Sequence, residues 1–284
     1  LIEIGPRDGE SVIRTEDVLE ILDSRGESIA LVMLPGIQYY SGQLFDMPAI
    51  TTAARARGCR VGWDLAHAIG NVPLALHDWD ADFAVWCSYK YLNGGPGAVA
   101  GCFVHERHGQ DPDLPRFAGW WGHEKATRFR MDPEFRPSPG AEGWQLSNPP
   151  IFSMAPLIPA LGMFMEAGMD RLAAKSARLT GWLEELIRIR LGQRIEILTP
   201  GEPEQRGCQL SLRVKPEGPT GHEVFERLSA AGIVVDWREP DVIRAAPVPL
   251  YNTYRDVAEF VRRLEEALSF ASECRWWARD WAAP

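Results

Sequence analysis

The most constraining feature of the sequence is an apolar run of strand length that ends in a lysine and a glycine-rich loop. Residues 82–87 form a nearly continuous apolar run, as in a parallel strand that is buried on both faces. Lys90 follows where this strand should stop. Because ligands of open α/β sheets collect at the carboxyl ends of strands, Lys90 is a candidate nucleophile toward an aldehyde or ketone. On this motif alone, an ordinary surface lysine after a strand remains the alternative.

A second strand, at residues 60–63, ends in Asp64 and is followed three positions later by His67. A carboxylate and an amine at the ends of successive strands suit pyridoxal phosphate (PLP). The carboxylate pairs with the pyridinium nitrogen, and the lysine forms a covalent bond with the cofactor aldehyde. The pair Asp64 and Lys90 therefore predicts PLP as the cofactor, although two strand ends can also carry these residues by chance.

The order of the segments predicts an α/β fold with a mostly parallel sheet. Strands at 27–34, 60–63 and 82–87 alternate with helical segments. A further strand, parallel or antiparallel, is expected over residues 97–104. This alternation of strands and helices indicates a sheet with helices on both faces.

The second half of the chain predicts a smaller domain. Residues 109–150 are dense in proline, glycine and tryptophan, which indicates a long irregular segment of functional importance. Residues 153–192 have helical leucine spacing, and Pro156 and Pro159 set the start of one long helix, which leads into alternating strands and helices of an α+β domain. We therefore predict a partial large domain over 1–155, and a connecting helix with a small domain over 156–284.

Charge and cysteine content exclude several classes of protein. The net charge of −9 and the pI of about 5.3 argue against nucleic acid or an anionic membrane surface as partner. No apolar run approaches the roughly 18 residues that a membrane span needs. The five cysteines are scattered without a CxxC pair, which predicts reduced thiols and a cytoplasmic location. His105 and His108 form a close pair without further ligands nearby, so no metal site is predicted.

Six stretches of the sequence together resemble kynureninase, and they follow one another over essentially the whole chain. They are DLAHAIGNV at 64–72, LHDW at 76–79, WCSYKYLN at 86–93, GWWGHE at 119–124, SNPP at 147–150 and RAAPVPLYN at 244–252. The resemblance implies the PLP-dependent transferase fold (fold type I), in the branch shared with cysteine desulfurases. It also implies that the family's N-terminal region lies outside this chain and that the large domain is incomplete.

The resemblance implies roles for individual residues. Lys90 binds the cofactor aldehyde and moves the substrate α-proton, Tyr89 assists in proton transfer, and Asp64 pairs with the pyridinium. Further cofactor contacts are implied for His67, Tyr40, Trp120 and Asn148, and substrate contacts for His123 and Arg244. Pro35 departs from the family, which usually has a phosphate-binding serine at this position.

The implied reaction is PLP-dependent hydrolysis of L-kynurenine or 3-hydroxykynurenine to an anthranilate and L-alanine, a step of tryptophan catabolism and NAD biosynthesis. The implied assembly is a cytoplasmic homodimer, with Trp120 and Asn148 at the interface. Two alternatives stay open. One is a related PLP β-lyase such as a cysteine desulfurase, which needs a mobile cysteine nucleophile. The other is a truncated, non-catalytic remnant.

Overall fold

The structure is a computed structural model that describes residues 1–111 and 113–269. The chain divides into two compact units, each described here by itself. The N-terminal unit consists of Arg14–Gly36 and Phe45–Glu166. Within the described residues, the C-terminal unit consists of Leu1–Ile13, Ile37–Leu44 and residues 167–269. The predicted division into domains at residue 155 stays a prediction.

A four-stranded sheet forms the centre of the N-terminal unit. Its strands are β1 (Leu31–Pro35), β2 (Arg60–Asp64), β3 (Phe83–Trp86) and β4 (Gly101–Val104), in that spatial order. β1 and β2 pair in parallel, as do β2 and β3, whereas β4 runs antiparallel to β3. The carboxyl ends of β1, β2 and β3 therefore lie at one edge. The helices are α1 (Thr15–Arg25), α2 (Met47–Ala56), α3 (Glu106–Gly109), α4 (Ile151–Met154) and α5 (Leu157–Ala167).

One face of this sheet is buried and the other is largely open. The buried face carries Val32, Val61, Trp63 and Ala84. On the opposite face Leu31, Met33 and Val85 are exposed. This face also lines part of an apolar cavity of about 490 Å³. Within the described residues, helices therefore cover one face of the sheet, whereas the sequence predicted helices on both.

A buried carboxylate ties the start of β3 to its neighbours. Asp82 is only 3% exposed and accepts a hydrogen bond of 2.7 Å from the backbone N–H of Val61 on β2. Arg55 of α2 and Arg107 of α3 approach it at 3.3 and 3.1 Å, and His108 Nε2 lies 2.5 Å from the same oxygen. Burial alone would raise the pKa of Asp82, but the hydrogen bonds from His108, Val61 and Arg107 hold it at about 2.

The C-terminal unit has an antiparallel sheet with helices packed against it. Its strands are β5 (Ile195–Ile197), β6 (Leu210–Val214), β7 (Asp236–Arg238) and β8 (Val242–Ala245), in the spatial order β5-β6-β8-β7. The helices are α6 (Met169–Leu191), α7 (Gly221–Ala230) and α8 (Tyr254–Ser269). Leu183, Leu212, Leu228, Ile243 and Leu264 are fully buried between these elements. The predicted α+β arrangement is therefore observed in this unit.

Residues 153–192 do not form the single long helix that was predicted to begin near Pro156 and Pro159. Three helices occupy this range, α4, α5 and α6, and they are interrupted at Ala155–Pro156 and at Gly168. Proline has no N–H for a helical hydrogen bond, and Gly168 has a φ of 77°, a backbone conformation that right-handed helices exclude. Taken singly, none of the helices in the described residues is long and apolar enough to cross a membrane. α4 and α5 taken together with α6 pass that test only as a bent pair, by length and composition.

The segment 37–44 belongs to the C-terminal unit although it connects β1 with α2. It closes on itself through a bridge between Ile37 and Leu44, and the backbone N–H of Leu44 donates to Gln205 O at 2.8 Å. Thr199 Oγ1 donates to Ser41 O at 2.6 Å, and both groups are buried. These bonds fix Tyr39 and Tyr40 against the small sheet.

We expect Asp82→Asn to lower the free energy of unfolding by about 3 kcal/mol, because it removes the buried anion that pairs with the partly buried Arg55 and Arg107. The pKa of Asp82 is lower in the folded than in the unfolded chain, so its stabilisation is present above about pH 4. It is lost as the pH falls from about 4 through about 2. Urea unfolding at several pH values measures both effects.

The matched control is Asp23→Asn. Among the described residues Asp23 pairs with Arg57, and its side chain is 78% exposed, so we expect a change below about 1 kcal/mol. Equal destabilisation by the two substitutions would contradict the anchoring role of Asp82.

Candidate functional site

The loop after β3 holds Lys90 beside a histidine. Lys90 Nζ lies 3.2 Å from Nε2 of His67, which comes from the loop after β2. Ser88 is buried and donates to Val99 O at 2.5 Å, and the N–H of Gly94 donates to Ser88 O at 2.9 Å. These bonds fold the glycine-rich loop back on itself. The predicted amine is therefore held at the carboxyl edge of the sheet.

His67 is itself held by a tight turn. The N–H groups of Ala68 and Ile69 both donate to Leu65 O at 3.0 Å, and Asn71 Nδ2 donates to His67 O at 3.0 Å. The ring of His67 meets that of Tyr91 edge-on, with 6.1 Å between their centroids. The sequence motif that suggested His67 therefore brings it to Lys90, whereas its contact with Tyr91 was not foreseen.

Asp64 is the last residue of β2 and lies on the exposed face of the sheet. Its Oδ1 accepts a hydrogen bond of 2.8 Å from the N–H of Ala66, which fixes the carboxylate at the strand end. The register places Asp64 opposite Val85 of β3 and Pro35 of β1. Asp64 thus ends β2 and Lys90 lies in the loop after the neighbouring strand β3, at the same carboxyl edge of the sheet. The carboxylate of Asp64 is accessible to a cation.

Tyr89 and Pro35 complete this edge. Tyr89 is exposed, and Lys90 Nζ lies 6.0 Å from its ring centroid. A hydrogen bond with Cys87 raises the pKa of Tyr89, so its hydroxyl remains protonated at neutral pH. Pro35 has no N–H, and it is Gly36 whose N–H donates to Asp64 O at 2.8 Å. Position 35 therefore supplies neither a hydroxyl nor an N–H at this edge.

A separate loop of the N-terminal unit carries Trp120, His123 and Asn148. Trp120 and Asn148 are exposed, and Trp120 meets Phe129 edge-on at 6.1 Å. His123 Nε2 lies 2.9 Å from Thr127 Oγ1, within the same loop. The described contacts of these residues are local, so their predicted roles in binding cofactor and substrate stay predictions.

Two predicted site residues, Tyr40 and Arg244, belong to the C-terminal unit. The hydroxyl of Tyr40 donates to Asp241, whose other oxygen accepts from Arg213 Nε at 2.6 Å. Burial and the bond with Asp241 raise the pKa of Tyr40. Because its single proton is given to Asp241, Tyr40 has no second proton for a phosphate. Its phosphate-binding role stays a prediction.

Arg244 lies on β8 with its side chain only 9% exposed. Its Nη1 donates to Tyr39 O at 2.9 Å, and its Nη2 forms an ion pair with Asp236. The fixed, planar guanidinium suits a carboxylate ligand. Neither Asp236 nor Asp241 was recognised in the sequence, because each lies in the small domain without a motif around it.

The residues at the sheet edge fit PLP in their chemistry. An amine within hydrogen-bond distance of an imidazole and an accessible carboxylate lie at the ends of neighbouring parallel strands. The cofactor requires an amine that can add to its aldehyde and a carboxylate that can pair with its pyridinium nitrogen, and Lys90 and Asp64 supply these two groups. The described histidine, cysteine and acidic residues include no group arranged to hold a metal ion. The paired histidines instead contact carboxylates, His105 with Asp80 and His108 with Asp82.

The fold is that of the PLP-dependent transferases, fold type I. It matches an apo cysteine desulfurase from Thermococcus onnurineus NA1 with a TM-score of 0.75 and 17% identity, over 95% of this chain and 66% of that one. It also matches a C-DES mutant with glycine covalently linked to its PLP cofactor, with a TM-score of 0.75 and 19% identity, over 88% and 63% of the chains. The predicted fold class is thereby confirmed.

Within that class, the sequence is similar to kynureninases. Residues 172–264 match the model of the kynureninase C-terminal domain. The kynureninase of Xanthomonas oryzae pv. oryzae (strain PXO99A) is 59% identical over 265 residues, which are 93% of this chain and 62% of that protein. Those of Stenotrophomonas maltophilia (strain K279a) and Koribacter versatilis (strain Ellin345) are 57% and 56% identical, and the match covers 62% and 61% of their lengths. The predicted resemblance to kynureninase is confirmed, and the chain spans about three fifths of these relatives.

Proposed function

We propose that the chain is the catalytic-lysine part of a PLP-dependent kynureninase. It takes part in the hydrolysis of L-kynurenine or 3-hydroxykynurenine to an anthranilate and L-alanine. The observation that carries the proposal is the match at 59% identity to a kynureninase over 93% of this chain. The pairing of Lys90 with His67 at 3.2 Å, beside Asp64, supports it independently.

Lys90 has two tasks in this proposal. It holds the cofactor through its amine, and it then moves the substrate α-proton from the same position. When bound, PLP supplies an electron sink for the charge that develops on the substrate. His67 keeps Nζ in place by the 3.2 Å contact, and Asp64 holds the proton of the pyridinium. Tyr89 assists in proton transfer, and its hydroxyl is protonated at neutral pH because its pKa is raised above the ordinary value.

The substrate needs two further contacts. Arg244 binds the α-carboxylate, since a buried planar fork can bind both carboxylate oxygens. His123, together with Trp120 or Trp121, lies beside the aryl group, which needs flat apolar walls and a polar group. Both ring nitrogens of His123 have partners, Thr127 Oγ1 at 2.9 Å and the N–H of Arg136 at 3.5 Å. We propose this loop as the determinant of the choice between kynurenine and its 3-hydroxy form, because it carries the aromatic and polar side chains assigned to the aryl group.

Cysteine desulfurase activity is the second candidate, because the similar solved structures include these enzymes. Such an enzyme needs a nucleophilic cysteine on a mobile loop. Within the described residues Cys59 and Cys208 are buried, and the exposed Cys102 is fixed in β4. Cys87 is partly buried directly after β3, where its Sγ donates to Ala66 O at 4.0 Å. The cysteines therefore favour kynureninase. A remnant without catalytic activity is the third candidate, because the chain spans only part of its relatives.

We also propose that the protein acts in the cytoplasm. The four described cysteines, Cys59, Cys87, Cys102 and Cys208, carry no disulfide, as is usual in a reducing compartment. Fractionation of cells that produce the protein tests this, and recovery from an oxidising compartment would contradict it.

A homodimer is the proposed assembly. Large aromatic side chains of the N-terminal unit are strongly exposed: Phe152 on α4 is 94% exposed, and Phe129 in the preceding loop is 73% exposed. Trp120, from the same loop as Phe129, is half exposed. Exposed aromatic clusters of this kind mark interfaces. We expect light scattering of the whole protein to give twice the monomer mass and Phe152→Asp to shift it toward the monomer. A monomer at all concentrations would contradict this proposal.

We expect kcat/KM to be highest for kynurenine or 3-hydroxykynurenine, with cysteine turned over poorly. The assay should compare this chain with the Stenotrophomonas maltophilia kynureninase as a positive control. Turnover of cysteine alone would favour the desulfurase. No PLP binding and no turnover by this chain, with an active control, would favour the remnant.

Asp64→Asn separates stability from cofactor binding. The amide oxygen of asparagine can still accept from Ala66 N–H, so we expect the free energy of unfolding to change by less than about 0.5 kcal/mol. PLP affinity should fall by about thirtyfold, because a charge-assisted hydrogen bond worth about 2 kcal/mol is lost. Urea unfolding and PLP titration measure the two quantities. Unchanged PLP affinity would refute the assigned role of Asp64.

A further inference from the structure

Asp236 and Arg244 form a cross-strand pair in the small sheet. β7 and β8 pair antiparallel, and their register sets Asp236 directly opposite Arg244. Directly opposed side chains of an antiparallel pair lie close enough to interact. Here they form an ion pair between Asp236 Oδ2 and Arg244 Nη2.

The guanidinium of Arg244 is fixed from two directions. Nη1 donates to Tyr39 O at 2.9 Å, and Nη2 contacts the carboxylate of Asp236. The two anchors come from different parts of the C-terminal unit, the 37–44 segment and β7. A planar group held at both terminal nitrogens keeps its plane, so its orientation toward a ligand is set before the ligand arrives.

Arg238 offsets the charge of Asp236. Its Nη2 lies 3.0 Å from Asp236 Oδ2, and its Nη1 donates to Oδ1 at 3.1 Å. The guanidinium groups of Arg238 and Arg244 thus share the carboxylate of Asp236. This trio of side chains keeps a net charge of about +1, since arginine is always protonated at neutral pH. The trio can therefore anchor Arg244 with an anion and still attract a second anion.

We propose that Asp236 is the positioning residue of Arg244: it orients the guanidinium for the substrate α-carboxylate, while Arg238 keeps the site positive. This inference rests on the proposed function, in which Arg244 binds that carboxylate. Asp236 touches Arg244 and not the reacting atoms, so its loss changes substrate binding more than turnover. If Asp236 instead occupied the place of the substrate carboxylate, its loss would strengthen substrate binding rather than weaken it.

The first test is structural and needs no cofactor. Rotation about the Cζ–Nη bonds of Arg244 is measured by NMR on this chain with labelled arginine, in the wild type and in Asp236→Ala. We expect clearly faster rotation in the variant. The matched control is Glu196→Ala, which removes the cross-strand partner of Arg213 in the same sheet and should leave Arg244 unchanged. Unchanged rotation in Asp236→Ala would overturn the proposal.

The second test measures carboxylate recognition by the PLP-loaded protein. L-alanine carries the α-carboxylate and ethylamine lacks it, so the ratio of their dissociation constants isolates that group. In Asp236→Ala we expect L-alanine to bind about tenfold more weakly, ethylamine within about twofold of the wild type, and KM to rise with kcat little changed. Asp236→Asn, which keeps an acceptor, should lie between these values.

The outcomes separate the two proposals. Tighter binding of L-alanine to Asp236→Ala would show that Asp236 competes with the substrate, and it would overturn the positioning role. Equal weakening of L-alanine and ethylamine would reveal a general disturbance of the site and would also overturn it. If neither compound bound to the wild type, the proposed function would fail, and the rotation of Arg244 would still decide the role of Asp236.

Discussion

The arrangement of the N-terminal unit depends on the buried carboxylate of Asp82. It lies at the start of β3 and receives hydrogen bonds from β2, α2 and α3. An ionised carboxylate that is 3% exposed must be matched by donors, and the donors here come from three different elements. Asp82 therefore fixes the register in which Asp64 stands opposite Val85, and with it the spacing between the ends of β2 and β3.

The groups proposed for catalysis are divided between the two units. The parallel sheet provides Asp64, His67 and Lys90 at its carboxyl edge, as is general for ligands of open α/β sheets. The antiparallel sheet provides Arg244 on β8. Buried polar side chains of the C-terminal unit bind the backbone of the 37–44 segment, among them Thr199 and Gln209. The carbonyl of Tyr39 that anchors Arg244 is thereby fixed as well.

The sequence was informative where function depends on strand ends. Apolar runs that end before Asp64 and before Lys90 predicted that both side chains lie at the carboxyl edge of the sheet. Ligands bind at that edge because all strands of a parallel sheet end there. The contact between His67 and Lys90 follows from the same rule. Arg244 was found through resemblance to a family and not from its surroundings.

Other features were beyond sequence reasoning for physical reasons. The partners Tyr40 and Asp241 are 201 residues apart, and only the tertiary fold brings them together. The pairing of Asp236 with Arg244 depends on the register of a three-residue strand, which no periodicity fixes. The interruption at Gly168 was missed because the leucine spacing continues across it, whereas the positive φ of one residue ends the helix.

The central claim is that Lys90 is the lysine that binds PLP. The chain has four lysines, at 90, 125, 175 and 215. Incubation with PLP, reduction with borohydride and peptide mapping by mass spectrometry distinguish them, because reduction makes the covalent bond permanent. We expect the label on Lys90 and its loss in Lys90→Arg. A label confined to the other three lysines, or none on any of them, would contradict the account.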